Sequence, residues 1–377
     1  MQPVSHIIMC TLINQAAWLK AAGSALEVDD APMPEPGADE IVVKNAAVAI
    51  NPLDCHMQDV GVFVQQWPTI FGCDVAGEVH EVGSGVQHFK KGDRVIGCVR
   101  IVYLPRMVLI PHRFRHCINL VTGRPADGAY ALFTIVPASK AALLPDHISF
   151  TDGVVVPFAL EAAVCSLSAK EPGPCMPGVS TPALGLPYPT LVDHPLLIGK
   201  VIVIYGASSS VGTMTTQIAA AAGIRVIAIA GAHNQDLVKE CGATLILDHK
   251  DTSLVDKVVN AVQDANMDFV GIIDAVSIAE TYARDLQILE RLGGGHLACV
   301  HPPPTEDVPH NVDAGMIFAV NDIATPVFEE FVTSALECGK LKCLPPPTIV
   351  GKGLEHVNEA LSVLKSGVSG TKLVVEL

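Results

Sequence analysis

The stretch Val201–Gly212, VIVIYGASSSVG, decides how this chain is read. A run of β-branched apolar residues stops at Gly206, passes three serines and reaches Gly212, which opens the alanine-rich segment TMTTQIAAAAG. A strand that ends in glycine and turns into a helix points backbone N–H groups, and the positive end of the helix dipole, toward an anion. Gly206 permits the tight turn, and Gly212 lets helix and sheet approach closely. Ser208, Ser209 and Ser210 can donate hydroxyl hydrogen bonds into the same cradle, to which Val211 also belongs. The pattern is a variant of the glycine fingerprint, not the full G-x-G-x-x-G.

Outward from this turn the pattern is regular. RVIAIAG, TLILD, FVGIIDAV and HLACV read as further strands, and NQDLVKECG, SLVDKVVNAVQDAN and TYARDLQILERLGGG as helices between them. Continuous apolar strands alternating with helices predict a doubly wound parallel sheet covered on both faces. Inside that repeat the glycine turn becomes a dinucleotide site whose pyrophosphate the serines meet. A site for NAD usually offers a carboxylate at the end of the second strand, to hold the ribose 2′-OH. Here that strand ends AIAGAHN, and the next acid, Asp236, falls within the following helix. His233, Asn234 and His249 can contact a 2′-phosphate instead, so NADPH is expected over NADH; each can equally be a solvated loop residue. Val276 and Ser277 are read as ending the fourth strand and Val300 the fifth, where backbone groups meet the nicotinamide.

Before Lys200 the texture changes. EIVVKNAAVAI, VAGEVHEVGSGV, GDRVIGC and YALFTIVPASKAALLP are short strand-like runs split by Gly, Pro and Asp, which predicts an antiparallel barrel or sandwich. After about residue 323 come two helical segments, PVFEEFVTSALECGK and LEHVNEALSVLKSG, and the closing strand KLVVEL. Residues 168–195 are proline-rich and read as a linker. The chain of 377 residues is 50% hydrophobic, enough for two domains with proper cores. A net charge of -15 gives no general attraction to nucleic acid or anionic membrane. No apolar run is expected to reach the roughly 18 residues of a spanning helix, and the opening MQPVSHIIMCTLIN lacks the basic start and small-residue cleavage site of a signal peptide. Eleven scattered cysteines without a C-x-x-C pair fit reduced thiols, hence a cytoplasmic protein.

The segments QAAWLKAAGSALEVDDAPMPEPGADEIVVKNAAVAINPLD and PTIFGCDVAGEVHEVGSGVQHFKKGDRVIG, with YGASSSVG, ECGATLILDHKD and GKGLEHVNEALSVLKSGVSGTKLVVEL, resemble the medium-chain dehydrogenase/reductase superfamily. The likeness is to its zinc-free quinone and enoyl reductase branch, and most to fungal reductases that serve polyketide synthases in trans. It implies a GroES-like barrel domain from residues 1–167 and 323–377, and a Rossmann nucleotide domain from 196–322 after the linker. Substrate would lie in the cleft between them. Zinc-dependent relatives hold their metal with a Cys, a His in GHE and a third ligand; the matching positions here are Asn51, Cys73 and about Leu160. These predict no zinc; His112 and His116 share helical spacing, but Pro111 and the unusual segment around them argue against a ligand pair. The resemblance places His56, in NPLDCH, where similar reductases carry a lysine, so His56 is the candidate proton donor; a barrel-surface histidine is the alternative. Asn51 either orients ribose or substrate, or caps a helix before Pro52; Asp54 reads as structural. Lys372 either reaches the cofactor phosphates or is solvated.

The expected activity is NADPH-dependent hydride transfer to an enoyl, enone or quinone substrate, by a monomer or homodimer. A dinucleotide-binding sensor or scaffold without catalysis is the alternative. Residues 99–123 interrupt the resemblance and, with Arg124, hold five of the nine arginines and no acid. They read either as a basic partner-binding flap or as a translated intron.

Overall fold

A computed structural model describes residues 13–99, 124–173, 180, 182–193 and 195–377. Both readings of the 99–123 segment, and His112 with His116, fall on positions outside the described residues apart from Val99.

The apolar run at 201 forms the centre of a six-stranded parallel sheet. Its strands are β8 (Lys200–Tyr205), β9 (Arg225–Ala230), β10 (Leu245–Asp248), β11 (Asp268–Asp274), β12 (Gly295–Cys299) and β13 (Val312–Met316), in the order β10-β9-β8-β11-β12-β13. The order reverses beside β8, so a crevice opens at the carboxyl ends of β8 and β11, where doubly wound sheets take their ligands. Two expectations shift here. The fourth strand ends at Asp274, so Val276 and Ser277 lie in the turn beyond it, and Val300 follows β12 by one residue. The sixth strand, VDAGM, was not read from sequence because Asp and Gly interrupt its apolar pattern. Its outer edge is met by the proline-rich segment: Met316 N–H donates to the Ser180 carbonyl at 3.0 Å.

The first half forms an antiparallel sheet, as its broken texture predicts. It contains β3 (Glu40–Ala49), β4 (Asp74–Val82), β5 (Arg94–Cys98), β6 (Phe133–Pro137) and β7 (Ala141–Leu143). A hairpin of β1 (Asn14–Trp18) and β2 (Glu27–Ala31) precedes it. The C-terminal strands β14 (Pro347–Lys352) and β15 (Lys372–Glu376) complete the sheet, β15 pairing antiparallel with β3 through Val374 and Ala49. The first helix expected after residue 323 runs without a gap from Thr325 to Glu337, with a π-helical stretch at Phe328–Val332.

Between the two sheets lies a helix absent from the sequence reading, Pro157–Ser168, in which every residue but Phe158 is buried. A helix apolar all round gives no 3.6-residue signal, and it belongs in a core. The longer stretch Phe150–Ser168 is apolar enough to cross a bilayer by composition, yet most of it is buried inside the protein. One core cluster runs from Ala47 and Ile96 of the barrel, through Leu160 and Val164, to Ile202 and Met214 of the parallel sheet. The fold is therefore a GroES-like barrel joined to a Rossmann sheet, with a cleft between them.

Candidate active site

The glycine turn is built as a close approach. Gly206 adopts φ +72°, and a Cβ there would lie 2.5 Å from Val276 Cγ2. A Cβ on Gly212 would lie 2.2 Å from the Gly206 carbonyl oxygen. Ser209 caps the helix Ser210–Ala221, its Oγ accepting the Gly212 N–H at 3.0 Å. That leaves the Ser210 and Val211 N–H groups of the first turn without intrahelical acceptors. Ser208 Oγ accepts from Asn234 Nδ2 at 3.1 Å, and Ser210 Oγ accepts from Lys372 Nζ at 3.4 Å. Each of the three serines keeps its hydroxyl proton to donate. The cradle thus fits a pyrophosphate in shape, donors and field.

At the end of β9 the imidazoles of His233 and His249 gather over Gly231, where a Cβ would lie 2.9 Å from His233 Cε1 and 3.5 Å from His249 Cε1. His233 Nε2 and Asn234 Nδ2 both reach Ser369 Oγ, at 3.1 and 2.9 Å. The strand end itself carries no carboxylate, although Asp248 of β10 lies 3.6 Å from His249 Nδ1. On the other side of β8, Asp274 fixes the next turn. Its Oδ1 accepts the N–H groups of Val276 at 2.9 Å and Ser277 at 2.8 Å. Ser277, at φ +57°, donates its hydroxyl to the Asp274 carbonyl and accepts the Val300 N–H at 2.9 Å. Ser277 therefore ties two strand ends together, while Val276 and Val300 face the cleft.

The barrel contributes a buried polar cluster. Asn51 stands at the N-cap of the helix Pro52–Val60, and its side chain also reaches Asp74 and Lys372. Asn51 Nδ2 donates to Asp74 Oδ2 at 2.8 Å, and Asn51 Oδ1 accepts from Lys372 Nζ at 2.5 Å. Lys372 also pairs with Asp74 at 3.2 Å, and it is 4% exposed. The solvated reading of Lys372 is thereby corrected: its ammonium bridges the barrel to the first turn of the nucleotide helix, because the adjacent Asp74 makes burial tolerable. Asp54 is structural, accepting the Asn51 N–H at 2.7 Å and the Tyr130 hydroxyl at 2.8 Å. Burial pushes its carboxyl up to about 6, against those two hydrogen bonds.

These walls enclose a cavity of about 470 Å³. Asn51, His56, Ser209, Ser210, Val211, Val276 and Val300 all line it. Gly206, Ser208, Gly212, Ser277 and Lys372 stand behind that wall, and His233, Asn234 and His249 lie at the end of β9 outside it. His56 is exposed on its helix and meets a residue that the sequence reading missed, His301, edge to face at 5.6 Å between ring centroids. Burial and the neighbouring His56 hold the His301 imidazole below its ordinary pKa, against the opposing pull of Asp274. Also missed was a buried ion pair on the cavity wall, Lys140 with Glu161, at 2.9 Å. Only the position of His301 directly after Val300 offered a signal in the sequence; Lys140 and Glu161 offered none.

The positions matched to zinc ligands do not form a metal centre. Asn51 is engaged with Asp74, Leu160 is fully buried, and the Cys73 thiol, pushed well up by burial, donates to Asp54 Oδ1 at 3.6 Å. Among the described residues no three His, Cys, Asp or Glu side chains stand where they could share an ion.

A barrel and a Rossmann sheet facing each other across a dinucleotide cradle define a two-domain oxidoreductase of the nicotinamide-dinucleotide class. Residues 37–146 match the alcohol dehydrogenase GroES-like domain, and residues 210–321 match the family described as zinc-binding dehydrogenase. The chain is 70% identical to dehydrogenase orsE of Emericella nidulans, over 97% of this chain and 99% of the relative. It is 35% identical to trans-enoyl reductase himH of Aspergillus japonicus, over 98% and 99%. The solved structure of the CurK enoyl reductase superposes with a TM-score of 0.70 at 17% identity, covering 96% of this chain and 99% of that one. The chain belongs to the medium-chain dehydrogenase/reductase superfamily, within its enoyl-reductase-like members.

Proposed function

We propose that the protein is an NADPH-dependent reductase of an activated carbon–carbon double bond, in an enoyl or enone substrate, or of a quinone. The observation that carries this reading is one cavity walled on the nucleotide side by the helix turn Ser209–Val211 and His301, and on the barrel side by His56, whose ring meets His301. The Ser210 and Val211 N–H groups, the serine hydroxyls and the nearby Lys372 ammonium would hold the pyrophosphate. His233, Asn234 and His249 would meet the 2′-phosphate at the acid-free end of β9. Val276, Ser277 and Val300 would flank the nicotinamide, and Asn51 would orient its ribose or the substrate. A reduced nicotinamide, when bound, supplies a hydride.

The protein's own part is to position the acceptor and to supply a proton. His56 is the donor, directed at the carbonyl oxygen or the enolate that hydride addition generates. His301 is packed against it, and burial with the neighbouring His56 disfavours the charged form of His301. The apolar walls exclude water from the reacting centre. The chemistry runs without zinc, since the residues at the ligand positions are an amide, a buried thiol and a leucine.

On this reading residues 1–167 and 323–377 form the catalytic domain, 196–322 the NADP-binding domain, and 168–195 the linker. The free thiols of the described cysteines support a cytoplasmic setting. The likeness to a trans-enoyl reductase supports a role in fungal secondary metabolism beside a polyketide synthase. Turnover with NADPH over a panel of enoyl thioesters, enones and quinones tests the reading. Oxidation of NADPH with one class, lost in His56→Ala, is expected; no turnover with any class refutes it.

A further inference from the structure

The cavity has a second polar end that hydride transfer leaves unused. Lys140 sits in the turn between β6 and β7, and Glu161 on the helix Pro157–Ser168. Their side chains are 8% and 2% exposed. Lys140 Nζ donates to Glu161 Oε1 at 2.9 Å and to the Asn321 carbonyl at 3.0 Å. All three residues line the cavity, among apolar walls that include Val99, Phe158 and Ala162.

Stability does not account for this pair. Two charges taken out of water lose several kcal/mol of hydration each, and a well-packed hydrophobic pair would hold a fold about as well. Nor is the pair saturated. A lysine ammonium has three N–H donors, and the third here meets no acceptor among the described residues. Glu161 Oε2 is buried and likewise without a hydrogen-bond partner among the described residues. Burial works against the Lys140 ammonium, but the Glu161 carboxylate outweighs it and keeps the lysine charged.

The chemistry of the missing partner follows. A carboxylate would be repelled by Glu161, and an amine by Lys140. A group that accepts from the ammonium and donates to the carboxylate satisfies both. We infer that the Lys140–Glu161 pair docks a hydroxyl group of the substrate, distinct from the group being reduced, so that the site selects hydroxylated enones over enones that lack such a hydroxyl. The inference rests on the reading of this cavity as the substrate site.

The test is equilibrium binding of 4-phenylbut-3-en-2-one derivatives, followed by tryptophan fluorescence without turnover. The ring carries a hydroxyl, methyl or methoxy group at the ortho, meta or para position. A charge-assisted hydrogen bond predicts that one hydroxyl isomer binds about tenfold tighter than its methyl counterpart. The methoxy isomer, which accepts but cannot donate, loses that advantage. The double variant Lys140→Met, Glu161→Leu, with folding followed by its thermal midpoint, abolishes it. Equal binding of hydroxyl and methyl isomers, or an advantage that survives in the double variant, overturns the inference alone. Failure of every compound to bind overturns it together with the reading of the cavity.

Discussion

Replacing Gly212 with alanine tests the cradle at its tightest point. The new Cβ would lie 2.2 Å from the Gly206 carbonyl oxygen, 2.7 Å from Ala207 Cα and 2.9 Å from the Gly206 carbonyl carbon. These are backbone atoms, and Gly206 cannot retreat because its own open side already faces Val276. Ordinary contact therefore requires the helix Ser210–Ala221 to lift by about 1 Å at its first turn. Overpacking of this kind costs about 1–3 kcal/mol, and a backbone clash belongs at the upper end. Alanine returns up to about 1 kcal/mol through helix propensity, so the net loss is roughly 2 kcal/mol. The functional loss is larger. The Ser210 and Val211 N–H groups move off their line to the anion, and a hydrogen bond to a charged group is worth about 1.5–3 kcal/mol. At least a tenfold weaker NADPH affinity follows, measured by fluorescence titration alongside urea unfolding. Gly173, with open space where its Cβ would point, is the matched control. A Gly212→Ala protein that binds NADPH as tightly as the parent would show that this turn does not hold the cofactor.

Three further outcomes follow from the barrel side of the cleft. Lys372→Met strands the fully buried Asp74 carboxylate, so a loss of about 3–5 kcal/mol is expected in urea unfolding; an unchanged midpoint would contradict the bridging role. Asp54 has its folded pKa raised from the model-compound value of 3.8 to about 6, so the folded state holds a proton that the unfolded chain releases. Stability from this group is present below pH 3.8, falls as the pH rises from about 4 to 6, and that fall disappears in Asp54→Asn, read by denaturation across that window. For His301, whose pKa is lowered by burial and then by His56, the His56→Ala variant raises it, observed by NMR titration of the imidazole protons. Because the folded pKa lies below the unfolded one, protonating His301 as the pH falls works against folding, and this effect weakens in the variant.

What the sequence disclosed, and what it hid, divides along physical lines. Strands of the parallel sheet announce themselves as unbroken apolar runs, so the buried β8 and β9, and the half-buried edge strand β10, were legible with the glycine turn between β8 and its helix. The helix Pro157–Ser168 was hidden because burial on every side erases amphipathic periodicity. β13 was hidden because an edge strand tolerates Asp and Gly. Along the cavity wall, residues tied to a local motif could be singled out from sequence: Ser209 and Ser210 with the turn, Val300 one residue beyond its strand. Pairs assembled only by tertiary folding were not. His301 meets His56 across the two domains, and Lys140 meets Glu161 between a barrel turn and the connecting helix. Neither pair has a spacing that a single sequence could reveal.

On the proposed function, the turn Val201–Gly212 and the acid-free end of β9 hold NADPH. Fluorescence titration of the purified full-length protein with NADPH and, separately, with NADH tests it most directly. Saturable binding with NADPH clearly tighter than NADH is the predicted result. A preference for NADH, or no binding of either, would contradict it.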